Sequence, residues 1–239
     1  MPLTSYKVLS LGCYGTLIDR DSGILAALRP LLERASVTLD HAEVLAVFER
    51  HESAQLSDPP QESYSAVLAE AHRRTARQWG VICSDEDHLL FGRSISRWPA
   101  YPDSPGALQY LRRYFKLVVL TNVDRDSFLA SSRRLDVRFD AVYTPQDVGT
   151  YKPDRLNFEF LARRLEKLGA TPGQTLHAAH SLPQDVVATA AAGLASAWID
   201  RRSISAASGK GSQLPGGGVA YVFQSLADLV RTHQKQLRA

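Results

Sequence analysis

The feature that most constrains the fold of this chain is the alternation of short apolar runs with helical stretches after residue 116. Each apolar run has the length of a buried strand, and each following stretch carries apolar residues at helical spacing. This alternation predicts right-handed βαβ units and a mostly parallel sheet, because parallel strands need a crossover between them. Together with the first apolar run, the predicted strands are 6–12, 116–122, 139–144, 175–181, 195–200 and an edge strand at 219–223.

A block of helices separates the first predicted strand from the others. Four stretches have apolar residues three and four positions apart, as amphipathic helices do. They span residues 21–35, 40–57, 61–79 and 85–97, with DPP at 58–60 between the second and the third. We therefore predict an α/β core formed by residues 1–17 and 99–239, into which residues 18–98 are inserted as a helical cap. A Gly/Ser-rich surface loop is predicted at 203–218 and a closing helix at 225–237.

Composition and charge narrow the class of protein. The chain has 28 Lys and Arg against 25 Asp and Glu, and its arginines are scattered, so the basic stripe of a nucleic-acid-binding protein is missing. Cys13 and Cys83 have neither disulfide-framework nor zinc-site spacing. No apolar run approaches the roughly 18 residues of a membrane span, and residues 1–15 do not show the apolar region and cleavage site that are typical of a signal peptide. We expect a cytoplasmic protein that binds a small molecule, and neither nucleic acid nor a membrane.

Four short motifs fall at the carboxyl ends of predicted strands, where doubly wound sheets bind ligands. They read LGCYGTLID (11–19), LTN (120–122), VGTYKPD (148–154) and HSLPQD (180–185). In this order and at this spacing they resemble the motifs of the haloacid dehalogenase (HAD) superfamily, and within it the type II L-2-haloacid dehalogenases, whose first motif typically reads FDxYGTLxD. WPAYPDSPGAL (98–108) and WIDRR (198–202) resemble the hinge after the cap and a late strand of that branch. The resemblance implies a HAD-like Rossmannoid parallel sheet with an inserted helical (C1-type) cap.

The resemblance places Gly12 where the family carries its catalytic aspartate. In that family the aspartate attacks carbon or phosphorus, and water then hydrolyses the resulting ester. Glycine has no atom that can attack, and Tyr14 stands where the phosphatase branch has its second acid. Cys13 is adjacent, but in an alternating strand end it points away from the side that a side chain at position 12 would take. We expect the usual hydrolysis to be lost and Cys13 to be a core residue, with a replacement nucleophile as the alternative.

The remaining motif residues predict a polar pocket floor. The resemblance makes Lys152, Thr121, Asn122, Asp185 and His180 the catalytic candidates. In the family the lysine balances the nucleophile's carboxylate. Without that carboxylate, we expect a lowered pKa for Lys152, or its pairing with Asp185 or a substrate acid. A solvent-facing loop position is the alternative for Lys152, and a hydrogen-bonded core histidine is the alternative for His180.

A second group of residues is expected to bind substrate. True dehalogenases carry an arginine early in the cap that clamps halide and carboxylate, and Arg50 is the candidate for this role, with a solvated helix face as the alternative. Gly12 is expected to leave extra volume above the pocket floor. The candidates for substrate binding are Gly12, Cys13, Tyr14, Thr16, Arg50 and Trp98.

Metal and cofactor requirements follow from the same motifs. The residue matching Asp185 helps to hold Mg²⁺ in the phosphatase branch. With Gly12 in place of the first ligand, a single protein carboxylate is too few for a dedicated site. We predict no metal and no cofactor. Since type II dehalogenases are often dimers, the resemblance also implies a homodimer.

Three functions remain open. The first is a repurposed enzyme that carries out a non-hydrolytic reaction on a small hydrophobic substrate such as a natural-product intermediate. The reaction would be an isomerisation, an elimination, or a cyclisation or pericyclic step such as a Diels-Alder reaction. The second is a haloacid dehalogenase-type hydrolase inactivated at Gly12. The third is a non-catalytic binding pseudoenzyme.

Overall fold

A six-stranded parallel sheet forms the centre of the computed structural model, which describes residues 1–56, 63–204 and 219–238. The strands are β1 (Val8–Leu11), β2 (Lys116–Leu120), β3 (Ala141–Tyr143), β4 (Thr175–Ala179), β5 (Ala195–Ile199) and β6 (Val219–Phe223). Their order is β3-β2-β1-β4-β5-β6, and all neighbouring pairs are parallel. The predicted α/β class and parallel sheet are confirmed. The strand order reverses at β1, so the ends of β1 and its neighbours form the crevice where such sheets bind ligands.

The helices of the described residues fall into two groups. Between β1 and β2 lie α1 (Arg20–Arg34), α2 (His41–Gln55), α3 (Tyr64–Gln78), α4 (Asp85–Arg93) and α5 (Ser104–Leu111). After β2 come α6 (Arg125–Ser132), α7 (Pro145–Val148), α8 (Arg155–Leu165), α9 (Val187–Ala191) and α10 (Leu226–Arg238). The first four match the predicted helical block, while the DPP segment and residues 205–218 of the predicted loop lie outside the described residues. The exact division into core and cap stays a prediction.

The fourth predicted helix ends earlier than expected. The stretch 85–97 was expected to be one helix, but α4 stops at Arg93 and a 3₁₀ turn covers Ser94–Arg97. Pro99 sets the end of the 3₁₀ turn, because the residue before a proline avoids helical geometry, and Trp98 is extended with ψ of 133°. The tighter turn also lets the Trp98 indole donate a hydrogen bond to Ser94 Oγ at 3.1 Å.

The two chain segments that lead into and out of the helical block are hydrogen-bonded to each other. Asp19 N donates to Pro99 O at 2.8 Å, and Tyr101 N donates to Leu17 O at 3.0 Å. Ser104 Oγ also donates to Leu17 O, at 2.9 Å. These contacts hold the start of α1 close to the carboxyl end of β1, so the helical block lies over the ligand-binding edge of the sheet.

Apolar packing on both faces of the sheet fixes the position of β1. All four of its residues are buried; Leu9 and Leu11 belong to the larger apolar cluster, and Val8 packs with Phe158 and Leu161 of α8. A strand buried on both faces is expected at the centre of a parallel sheet. Within the described part of the chain, none of the helices has the length and apolar character that crossing a membrane requires.

Close helix packing against Gly92 gives a testable prediction. A Cβ atom at Gly92 in α4 would lie 2.2 Å from the Ser65 carbonyl oxygen of α3, whereas nothing lies within 4 Å of the corresponding position at Gly106 in α5. Both glycines lie in helices, so mutation to alanine raises the helix propensity equally in the two variants, and this effect cancels in their comparison. We expect Gly92→Ala to be less stable than Gly106→Ala by about 1–3 kcal/mol, the usual cost of overpacking. Urea denaturation followed by circular dichroism measures both variants, and equal stabilities would contradict this packing.

Candidate active site

A cavity of about 390 Å³ lies between the helical block and the carboxyl ends of the strands. Its volume falls in the range of roughly 300–1,000 Å³ that is usual for small-molecule sites. The core contributes residues that follow β1, β2, β4 and β5, and α1, α2 and α3 contribute the opposite wall. Most of the sequence-predicted site residues line it together: Lys152, Thr121, Asn122, Asp185, His180, Gly12, Cys13 and Tyr14.

Three of the predicted substrate-binding residues do not line this cavity. Thr16 is fully buried beneath it, where its Oγ1 accepts a hydrogen bond from His180 N at 3.0 Å. Trp98 is buried in the packing against Gly23 of α1. Arg50 is exposed on α2, because the face of α2 that borders the cavity runs through residues 49, 52, 53 and 56 and Arg50 falls outside it. The structure thus favours the solvated-face alternative for Arg50.

Lys152 forms a buried ion pair at the floor of the cavity. Its Nζ lies 2.5 Å from Asp185 Oδ1 and donates a hydrogen bond to Leu120 O at 3.0 Å. Both charged side chains are about 95% buried, with exposures of 5% for Lys152 and 4% for Asp185. Lys152 is therefore not a solvent-facing loop residue. Of the two partners that were predicted for it, the structure provides Asp185.

His177 extends this ion pair into a chain of buried polar groups. Its Nε2 lies 3.1 Å from Asp185 Oδ1, and its Nδ1 lies 3.0 Å from Ser10 Oγ in β1. Burial alone would raise the pKa of Asp185, but the Lys152 ammonium and the His177 hydrogen bond outweigh it and hold that pKa below its ordinary value. Burial lowers the pKa of His177, so the imidazole is neutral, donating to Asp185 and accepting from Ser10.

The side-chain amide of Asn122 is hydrogen-bonded to the backbone of Lys152 through both its oxygen and its nitrogen. Its Nδ2 donates to Lys152 O at 3.0 Å, and its Oδ1 accepts from Lys152 N at 2.7 Å. Thr121 Oγ1 accepts from Val123 N at 3.1 Å. Thr121 and Asn122 were expected to donate hydrogen bonds to a substrate. Asn122 instead holds the loop that carries Lys152, and Thr121 accepts from the backbone of its own turn.

The space at Gly12 is narrow. Its N–H donates to Ala178 O at 3.0 Å. A Cβ atom added there would lie 3.0 Å from Ala179 Cβ and 3.1 Å from Thr16 Oγ1, which is tighter than about nine in ten real Cβ contacts. Gly12 borders the cavity, but the extra volume expected in the direction of its missing side chain is taken up by Ala179 and Thr16.

The other core residues at the cavity have distinct roles. Burial raises the pKa of the Cys13 thiol, although Lys152 opposes this, so the thiol is protonated at neutral pH and is a poor nucleophile. The Tyr14 hydroxyl donates to Ser131 Oγ at 2.8 Å, so only its ring faces the cavity. Burial lowers the pKa of His180 to about 4, and this imidazole is therefore neutral in the cavity wall at neutral pH.

A buried charged chain on the opposite wall was missing from the sequence predictions. The Arg20 guanidinium donates to Glu49 Oε1 at 3.1 Å and to Glu52, and the Tyr64 hydroxyl donates to the other carboxylate oxygen of Glu52. Burial alone would lower the pKa of Arg20, but the nearby Glu52 carboxylate outweighs burial, and the pKa of Arg20 lies above its ordinary value. Burial raises the pKa of the Tyr64 hydroxyl. Arg20, which directly follows the first motif, thus lines this cavity from the side of the helical block, and Arg50 does not.

Magnesium does not fit the residues at the floor. Gly12 supplies no carboxylate, and Oδ1 of Asp185 already accepts from both Lys152 and His177. Within residues 1–56, 63–204 and 219–238, no three His, Cys, Asp or Glu side chains are arranged to hold a metal ion.

Comparison with protein families matches residues 6–193 to the haloacid dehalogenase-like hydrolases. Comparison with curated protein sequences returns no match.

Several solved structures share the fold. A defluorinating L-2-haloacid dehalogenase has 20% sequence identity and a TM-score of 0.77, covering 98% of this chain and 96% of its own. The L-2-haloacid dehalogenase of Xanthobacter autotrophicus with chloropropionic acid covalently bound has 20% identity and a TM-score of 0.75, covering 96% and 98%. The HAD-hydrolase YfnB of Bacillus subtilis, bound to magnesium, has 17% identity and a TM-score of 0.75, covering 96% and 99%.

The buried ion pair predicts an asymmetric response to losing a carboxylate. Asp185→Asn leaves the Lys152 ammonium buried without its counter-charge, and we expect a loss of about 3–5 kcal/mol in the free energy of unfolding. Glu159→Gln is the matched control, because it removes one carboxylate from the exposed pair with Arg155 and should cost at most about 1 kcal/mol. Chemical denaturation of both variants measures the difference. Similar costs would show that the Lys152–Asp185 pair is not buried in solution.

The neutral histidines predict a loss of stability on acidification. His180 has a pKa of about 4 when folded and 6.5 ordinarily, so between these values the unfolded chain binds a proton that the folded protein does not. The free energy of unfolding should therefore fall as the pH falls from 6.5 to 4. His180→Asn should flatten this part of the profile relative to the exposed control His41→Gln, as measured by urea denaturation at several pH values. Parallel profiles for the two variants would contradict the burial of the His180 ring.

Proposed function

This chain belongs to the haloacid dehalogenase-like hydrolase family, and we propose that it is a member that has lost the covalent aspartyl step and transforms a small carbonyl compound without hydrolysis. Isomerisation, elimination and cyclisation, including a pericyclic step such as a Diels-Alder reaction, are the candidate reactions. Each needs a ligand held in a reactive conformation and a polarised oxygen, and none needs an attacking carboxylate.

The observation that carries this proposal is the closed ion pair at the cavity floor. Asp185 balances the buried Lys152 ammonium at 2.5 Å, and His177 completes the arrangement without any contribution from position 12. A buried charge is strongly destabilising unless it is paired. Asp185 thus supplies the counter-charge that position 12 does not. The pairing supports a site that is complete with Gly12 in place.

The packing around Gly12 supports the same interpretation. Ala179 Cβ and Thr16 Oγ1 lie so close to the position of a Cβ atom that an aspartate would have to displace them by a few tenths of an ångström. The neighbours of Gly12 therefore leave little room for a side chain, which supports a site whose chemistry does not use position 12.

Lys152 is the group best placed to polarise a substrate. An ammonium carries three N–H donors, of which the structure assigns one to Leu120 O and one to Asp185. The third is available to a carbonyl oxygen in the cavity, where a fixed positive charge stabilises a developing oxyanion. Asn122 holds the backbone of Lys152 in place, and the neutral His180 imidazole is a candidate proton acceptor in the same cavity.

The walls of the cavity favour a ligand with an apolar body. The rings of Tyr14, Tyr64 and Trp198 and the side chains of Leu56 and Leu182 border the space that faces Lys152. A small molecule with one carbonyl oxygen and an apolar skeleton would match both the Lys152 ammonium and the apolar wall. A cytoplasmic location and a homodimer stay predictions.

Restoring the aspartate tests whether hydrolysis is latent. We expect Gly12→Asp/Ala179→Gly, in which the second change makes room for the new side chain, to release neither halide nor phosphate above the level of Gly12→Asn/Ala179→Gly. The Asn control has nearly the same shape but no nucleophile. The substrates are L-2-haloacids, phosphate monoesters and carboxylic esters, with ion chromatography and phosphate detection as the readouts. Turnover by the Asp variant alone would establish the inactivated-hydrolase alternative instead.

A second measurement separates an enzyme from a binding pseudoenzyme. Wild-type protein and Lys152→Met are incubated with a panel of unsaturated ketones, esters and lactones, and NMR follows products of equal mass or products of elimination. We expect conversion of at least one class by the wild type, lowered about 10²-fold or more when the oxyanion donor is removed. Conversion that is equal in both proteins, or found in neither, would contradict the proposal.

A further inference from the structure

The cations around the cavity are paired with carboxylates. Those that line it in the described part of the chain are Arg20, Lys152, Arg201 and Arg202. Arg201 Nη1 lies 2.8 Å from Asp103 Oδ1, and Arg202 lies 2.8 Å from Glu49 and 3.3 Å from Asp21. Lys152 pairs with Asp185, and Arg20 pairs with Glu49, Glu52 and Asp21. Each of these cations therefore already has a carboxylate partner.

Carboxylates and cations balance among the residues that line this cavity. The acidic side chains that line it are Glu49, Glu52, Asp185 and Asp200, against the four cations named above. An anionic ligand entering such a site loses its hydration and adds a negative charge to a set of charges that is already balanced. It gains no matching cation unless an existing pair is broken.

Arg20 determines whether an anionic ligand finds a cation in this cavity, because its guanidinium directly borders the cavity. A guanidinium binds a substrate carboxylate best through two parallel N–H donors. Here Nη1 donates to Glu49 and Asp21, and Nη2 donates to Glu52. Glu52 is 7% exposed and is held on its other oxygen by the Tyr64 hydroxyl, so a ligand cannot easily displace it.

We infer that the cavity selects a neutral carbonyl ligand, namely an ester, amide, ketone or lactone, over a free carboxylate, and that Glu52 sets this selectivity by occupying Arg20. The inference rests on the proposed function in taking this cavity as the ligand site. It adds the charge of the substrate and the residue that determines it. Glu52 acts on specificity through Arg20 and takes no part in bond making or breaking.

Two probes with the same skeleton test the inference. 3-Phenylpropanamide and 3-phenylpropanoate differ in charge and share an apolar body that suits the aromatic wall of the cavity. Isothermal titration calorimetry at pH 7 measures both against the wild-type chain and Glu52→Gln. The wild type should bind the amide at least about tenfold more tightly. In Glu52→Gln the released guanidinium should bind the carboxylate about tenfold more tightly than wild type does, the effect expected of one charge-assisted hydrogen bond.

Two further variants separate the site effect from a change in overall charge. Glu49→Gln removes a partner of Arg20 that is 34% exposed, so it is expected to fold normally and to shift the preference in the same direction by a smaller factor. If Glu52→Gln does not fold, the affinities of Glu49→Gln test the inference in its place. Glu33→Gln makes the same change of charge on the exposed side of α1 and should leave both affinities as in the wild type.

The outcomes that would overturn the inference are specific. They are a wild-type preference for the carboxylate, an unchanged preference in folded Glu52→Gln, the same shift in Glu33→Gln, or no binding of either probe to any of the proteins. All of these measure binding and not turnover. A failure here is therefore distinguishable from a failure of the proposed non-hydrolytic reaction, which the position-12 and Lys152 variants test separately.

Discussion

The buried pair of Lys152 and Asp185 is the interaction on which the cavity depends. It joins the loop after β3 to the segment after β4, while Leu120 at the end of β2 and Ser10 of β1, through His177, are tied to the same two charges. In a medium of low polarity such a pair is stable only when its hydrogen bonds are complete. The floor of the cavity is thus built from four adjacent strands and is fixed by their order in the sheet.

The parallel sheet could be predicted from the sequence because its signal is local. Apolar runs of strand length and helical spacing between them are visible within a few residues, and the central strand β1 is buried on both faces as such a run implies. The change from α-helix to 3₁₀ turn at Ser94 could not be predicted in this way, because the spacing of Phe91 and Ile95 fits a helix that continues. Motif positions likewise brought Lys152, Asp185 and Gly12 to one site.

Contacts between distant segments could not be predicted in the same way. His177 lies in a strand of otherwise apolar and small residues, which was the available signal, but its partners Ser10 and Asp185 come from different parts of the chain. Arg20 and Glu52 are brought together by the angle at which α1 and α2 pack, which no spacing in the sequence specifies. Whether Arg50 reaches the cavity depended on which face of α2 meets the core, and that face is defined by tertiary packing.

The hydrogen bonds between residues 17–19 and 99–101 have a mechanical consequence. Because the two crossing segments are linked to each other, they form one joint and not two independent linkers, and any opening of the helical block becomes a rotation about that joint. Far from the joint in sequence, Arg202 reaches across to Glu49 from a side chain that is 59% exposed, and such contacts are weak and screened by salt. Higher ionic strength would therefore weaken this contact between the helical block and the core more than it weakens the buried pair at the floor.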